Sequence, residues 1–407
     1  MSKNSLHAVI VAVAVAIGGG VMSHTAVAAQ SVSAAVAKPM DAANKAVRAK
    51  KWDEAIVHLR EVNGISGKSA YDTHVMNQLM GYALVSQGKQ AEALPYLEAQ
   101  AGSAFSSAAE KTNLNKQMLV IHFNLKNYPK AVEMGQSLIA SGAADASTFN
   151  VMAQAYEKQG KLGDAVKFVK NRVDSAVSGG RKPAENDLLI LLDYQARLKD
   201  ENGRMATFER LVSYYPKAAY WENVLSSLTK ATGSSDAVKL NLFRLMASTG
   251  TLKKHQDYSE LAQLALERGA SGEAASVVDA GLAKNAYPED RKASAGRLSA
   301  AAKKQAQDDR AKLPGAEAAA SAAKNGEGDI RVGQTYYGFG EYDKAIAAYK
   351  RGIAKGGLKS PEEAQILLGI AQLKGKKAGE ASATFRAVKA GDPQMVRLAA
   401  LWALHSK

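Results

Sequence analysis

The sequence predicts an all-α chain, and three observations carry that expectation. The 407 residues are 46% hydrophobic, enough for one large core or several small ones. Alanine is abundant throughout, and runs of Val, Ile and Thr are missing beyond the first 30 residues. Alanine costs least in a helix, whereas β-branched runs favour strands. The third observation is self-similarity: one arrangement of small and large residues returns at a steady spacing.

The clearest copy is GQTYYGFGEYDKAIAAYKRG (333–352). Read as helix, turn, helix, it places small Gly333 and Ala345 where two antiparallel helices cross, with Tyr336 and Tyr349 filling the space around them. Gly340 falls in the turn. Upstream, Gly81, Leu84, Gly88, Ala93 and Leu97 take the matching places, as do Ala153, Tyr156, Gly160, Ala165 and Val169. Gly269 with Ala274, and Gly369 with Ala381 and Phe385, continue the series. Weaker copies surround Ala55 and Ala131, and degenerate ones lie near Phe208 and Ala237. A phosphate cradle would want a strand before the glycines. The approach to Gly338 and Gly340 reads as helical, so Gly340 is expected to be an elbow.

The crossing alanines fall at 55, 93, 131, 165, 237, 274, 345 and 381. The period of about 34–38, with two gaps twice as wide, resembles the tetratricopeptide repeat in spacing and residue type. The resemblance covers most of residues 36–393. It implies a right-handed superhelical solenoid of about nine or ten helix-turn-helix units. Several units exceed 34 residues, and most lack the family's usual first-helix aromatic.

The organisation expected along the chain follows. Residues 1–29 read as an export signal: Lys3, an apolar run from Ala8 to Ile17, then Gly18 to Gly20 and small residues around Ala28. An uncleaved membrane anchor is the alternative. A flexible segment is expected over 30–37, a first repeat array over 38–288 and a C-terminal pair over 326–392. A capping helix over 393–407 should cover the last exposed core. The Ala/Lys-rich stretch 289–325 reads as a degenerate repeat or linking helices, with Pro314-Gly315 as a turn. Export makes the mature chain periplasmic on this reading.

Catalytic patterns are missing. The chain has no cysteine, so thiol nucleophiles, disulfides and thiolate metal sites are excluded. Seven scattered histidines form no HExxH pair, and neither GxSxG nor a P-loop is present. No enzyme, cofactor or metal is expected. The formal charge of +14 favours an acidic partner, with nucleic acid set aside because of export.

The resemblance implies binding along the inner face of each first helix. Projecting the register puts Asn113, Lys116, Gln117, Asn124, Asn150, Gln154 and Lys158 there. Amides suit a peptide backbone because one side chain both donates and accepts. Arg48, Lys158, Arg197, Lys230 and Lys374 share one register position, where they either meet an acidic ligand or offset a helix dipole. Tyr336 is expected in the core and Tyr337 towards the groove. The family's full carboxylate-clamp set is not reproduced. The expected role is a non-catalytic protein-interaction scaffold in the cell envelope. A module for anionic glycan or cell-wall polymer is the alternative, and an enzyme hidden in 291–328 the third.

Overall fold

The computed structural model describes residues 31–229 and 234–406. The export segment expected over 1–29 therefore lies outside the described residues. Those residues form twenty α-helices and no strand, in two compact units that divide after Gln159. None of the helices is long and apolar enough to cross a membrane.

Unit 1 contains α1 (Ala34–Arg48), α2 (Trp52–Gly64), α3 (Ala70–Ser86), α4 (Gln90–Gly102), α5 (Ala108–Asn124), α6 (Tyr128–Ala140) and α7 (Ala146–Lys158). Each packs against the next. The crossing alanines Ala55, Ala93 and Ala131 are fully buried, as the repeat requires. At Gly81 a β-carbon would come within 2.9 Å of Leu97 Cδ2, so the helices meet as closely there as the expected register demands. First helices α3, α5 and α7 open with reciprocal capping boxes at Ser69, Ser107 and Asp145.

The flexible segment expected over 30–37 is partly helix. Helix α1 starts at Ala34, and Val36 is fully buried. Its entry is pinned because the Ser33 backbone N–H and hydroxyl both donate to buried Asp72, at 2.8 and 2.7 Å.

Unit 2 contains α8 (Leu162–Ser178), α9 (Glu185–Arg197), α10 (Glu201–Tyr214), α11 (Ala218–Thr229), α12 (Asp236–Thr249), α13 (His255–Glu267), α14 (Ser271–Ala283) and α15 (Glu289–Ala322). It continues with α16 (Glu327–Gly338), α17 (Tyr342–Lys355), α18 (Pro361–Lys374), α19 (Ala378–Ala387) and α20 (Pro393–His405). Ala165, Ala274, Ala345 and Ala381 are fully buried at helix crossings. A β-carbon at Gly333 would meet the Tyr349 ring at 2.5 Å, and one at Gly369 the Phe385 ring at 2.5 Å. The repeat register is that of the helix-turn-helix hairpins the sequence predicts.

Gly340 is the elbow the sequence predicts. It has φ +74° and joins α16 to α17, with the N–H of Glu341 bonded to the Tyr336 carbonyl at 3.0 Å. This left-handed helix ending, closed by a six-to-one bond, satisfies carbonyls that the helix end would leave bare. Gly88, Gly160 and Gly269 adopt the same conformation, with φ between 74° and 78°. At the corresponding turns Lys50, Lys126, Lys199 and Lys376 take its place, with φ between 56° and 62°. Left-handed backbone is costly for a residue bearing a β-carbon. The turn geometry is imposed by the helix crossing rather than by glycine.

Three departures matter. The Pro314-Gly315 turn does not form: α15 runs unbroken for 34 residues through Pro314. Leu313 and Ala320 stay buried on either side of the proline, and Glu317 accepts the Tyr336 hydroxyl, so packing on α16 carries the helix past it. The final helix α20 does more than cap α19. It also packs on α10, α12 and α18, with Arg397 paired to Glu209 and the His405 ring 2.7 Å from the Ser248 hydroxyl. Lastly, α12 is buried all round, with ten of its fourteen residues in the interior. A helix apolar on every side belongs inside a core rather than on a repeat surface.

Candidate functional site

The first-helix face of unit 1 gathers most of the residues the sequence singles out. On α5, Asn113, Lys116, Gln117, Val120 and Asn124 follow one stripe, since steps of three and four return to one side of a helix. On α7, Asn150, Gln154 and Lys158 do the same. Asn113, Asn124 and Lys158 are exposed, while Gln117, Asn150 and Gln154 are half-buried.

Two of these residues are already engaged. Lys116 reaches across to α7 and donates to Asp145 at 2.7 Å. That bond comes first in holding the Asp145 carboxyl down at about 2, with further help from Thr148 at the helix cap. Lys116 is thus a tie between neighbouring first helices rather than a cation waiting for a ligand. Asn124 donates to the Gln90 side chain at 3.2 Å, at the turn end of the hairpins.

The stripe also carries apolar side chains that the sequence reading passed over. Val75 and Tyr82 on α3, and Val120 and Phe123 on α5, are half-buried against the core. Tyr82 is steadied by an edge contact with Trp52, with ring centroids 5.6 Å apart. A signal existed, for Val75, Gln78 and Tyr82 sit three and seven residues apart on one face. An apolar strip bordered by amides can bury side chains of an extended segment and bond its backbone.

The remaining expected contacts fall elsewhere. Arg197 and Lys374 belong to unit 2. Arg197 is exposed and pairs with Asp193 one turn back at 3.6 Å, so it serves its own helix. Lys374 is exposed at the end of α18, where its charge adds to burial in lowering the His405 pKa. Lys230 lies outside the described residues. Tyr336 is core, as expected, but Tyr337 does not face an open groove. It is half-buried beneath the Arg244 guanidinium of α12, 5.1 Å from its ring centroid, and burial first of all pushes its hydroxyl well above the usual range.

Among the described residues no group of three or more His, Asp and Glu side chains could hold a metal ion. A shallow polar hollow of about 420 Å³ in unit 2 is lined by His255, Gln256, Ser259, Glu260, Tyr287 and Arg291, among others.

No family model matches the chain, and no curated protein matches it by sequence. Solved structures similar to it include a tetratricopeptide repeat protein from Parabacteroides merdae, 11% identical over 81% of this chain and 98% of that one, with a TM-score of 0.29. The TPR2AB domain of yeast Sti1, in its pHSP90 complex, is 13% identical over 74% of this chain and 99% of that one, with a TM-score of 0.25. The maize pentatricopeptide repeat protein PPR10 is 12% identical over 91% of this chain and 61% of that one, with a TM-score of 0.32. No residue of this chain takes a role from them.

Proposed function

We propose that this chain is a non-catalytic interaction scaffold of the cell envelope, and that the first-helix face of unit 1 holds an extended segment of a protein partner. One observation carries the reading: amides recur in register on successive first helices, at Asn113, Gln117, Asn150 and Gln154, beside the half-buried apolar strip of Val75, Tyr82, Val120 and Phe123. A regular surface of this kind fits an extended backbone, and exposed Arg48 and Lys158 suit an acidic segment. The envelope location rests on the export character of residues 1–29.

Photocrosslinkers placed at Asn150 and Gln154 in the full chain, in cells, should capture one discrete protein. The same partner should bind the Asn150→Ala/Gln154→Ala double variant at least tenfold more weakly, with helix content unchanged. Crosslinking only from an outward position on α6, such as exposed Ser137, would overturn the proposal.

A further inference from the structure

Helix α12 is out of place for a repeat. The hairpins α9/α10, α13/α14, α16/α17 and α18/α19 of unit 2 are each closely packed pairs, whereas α12 packs more on α13 and α20 than on its predecessor α11. Its long side chains Leu240, Leu242, Phe243 and Leu245 are all buried, in one core with Ile366 and Ile370 of α18 and with Leu398 and Trp402 of α20. Helices α13, α16 and α18 are the first members of their pairs, and α20 holds the next such place. α12 therefore lies on the first-helix side of unit 2, where a repeat array would otherwise meet a ligand.

Its polar contacts are also those of a ligand. Arg244, 3% exposed, donates from Nε and Nη2 to the Glu273 carboxylate of α14, at 2.9 and 2.6 Å. Its guanidinium lies over the Tyr337 ring of α16. The fit is incomplete, because buried Arg244 Nη1 and Asn241 Oδ1 have no partner. A buried ion pair adds little to stability over a well-packed apolar replacement, while a bidentate arginine fork selects its occupant strongly. A merely structural helix would be better served by leucine at position 244. An arginine here reads as an address.

We propose that α12 is an intramolecular ligand of unit 2, occupying a helix-binding site that accepts in its place a largely apolar partner helix carrying one arginine. Glu273 and Tyr337 recognise the arginine, and α20, latched through His405 to Ser248 on α12 and through Arg397 to Glu209, closes the far side. The inference is independent of the binding face proposed for unit 1.

Two measurements on the full chain test it. In native-state hydrogen exchange of the wild type, α12 amides should exchange through a partial opening at least tenfold faster than those of α17. Exchange of both helices at one common slowest rate would overturn the proposal. Separately, a labelled peptide of residues 235–250 should bind the Arg244→Ala variant at least tenfold more tightly than wild type, because the internal competitor is weakened while Glu273 remains. The same peptide carrying alanine in place of arginine should lose that gain. A folded Arg244→Ala chain that binds the peptide no better than wild type would also overturn it. If that variant does not fold, the exchange rates of the wild type decide.

Discussion

Replacing Gly333 by alanine probes the helix-crossing rule directly. The new β-carbon would lie 2.5, 2.6 and 3.0 Å from three atoms of the Tyr349 ring, against an ordinary contact of about 3.5–4 Å. Tyr349 is fully buried, so its ring has nowhere to withdraw without moving α17. Overpacking of this kind costs about 1–3 kcal/mol. Alanine recovers about 1 kcal/mol over glycine inside a helix, leaving a net loss of about 1 kcal/mol. Gly296 in α15 provides the control, since nothing lies within 4 Å of its would-be β-carbon. There the same change should stabilise by about 0.5–1 kcal/mol. Urea unfolding of the full chain, followed by circular dichroism, should move the two midpoints in opposite directions. Equal stabilisation by both substitutions would refute the close-crossing argument.

Other expectations are as specific. Lys126→Gly, at φ 62°, should relieve about 1–2 kcal/mol of left-handed strain and return part of it as unfolded-chain entropy. The urea midpoint should therefore rise, and a fall would count against a strained turn. Ala345→Leu, at a fully buried crossing, should cost about 1–3 kcal/mol, and an unchanged melting temperature would contradict the assignment. Burial first of all lowers the pKa of His74, against an opposing pull from Glu110, and that of His122. The unfolded chain then binds more protons than the folded one, so stability should fall as pH drops below about 6.5. Asp72 and Asp145, held at about 2, lose their contribution only below the ordinary aspartate pKa of about 4. Between pH 6.5 and 4 the carboxyls of Asp187, Asp257 and Glu363, which burial first of all raises, pull the other way, so the test is a difference. His122→Phe should lose less stability than wild type on acidification through that interval, and an equal loss would exclude this account.

The repeat was legible because crossing geometry demands particular residues. Glycine or alanine stands at each close crossing, at 81, 93, 153, 165, 274, 333, 345, 369 and 381, so the period stands in plain view. The turns were legible where glycine marks them and silent at Lys50, Lys126, Lys199 and Lys376, since tertiary packing can force a left-handed residue that local preference disfavours. Pro314-Gly315 misled for the converse reason: a strong local turn signal gave way to packing on both sides. The candidate face was legible in its amides but not in its state of engagement. Nothing in the repeat register says that Lys116 ends on Asp145, or that a helix 93 residues before Tyr337 lays an arginine over it. Such contacts join positions whose separation no periodicity encodes.

The unbroken run of α15 has a consequence for how this chain can change length. Early in the helix Ser299 and Lys303 hold Asp279 of α14, and Asp309 accepts from Ser271; later Glu317 accepts from Tyr336 of α16. A residue inserted between Asp309 and Glu317 would swing the second set of contacts by about 100° around the axis relative to the first and advance it about 1.5 Å. The helix acts as a phase key between the pairs on either side of it. Insertions that a loop such as 356–360 could absorb would here disengage one neighbour or the other, so natural length variation should collect in the loops and spare this helix.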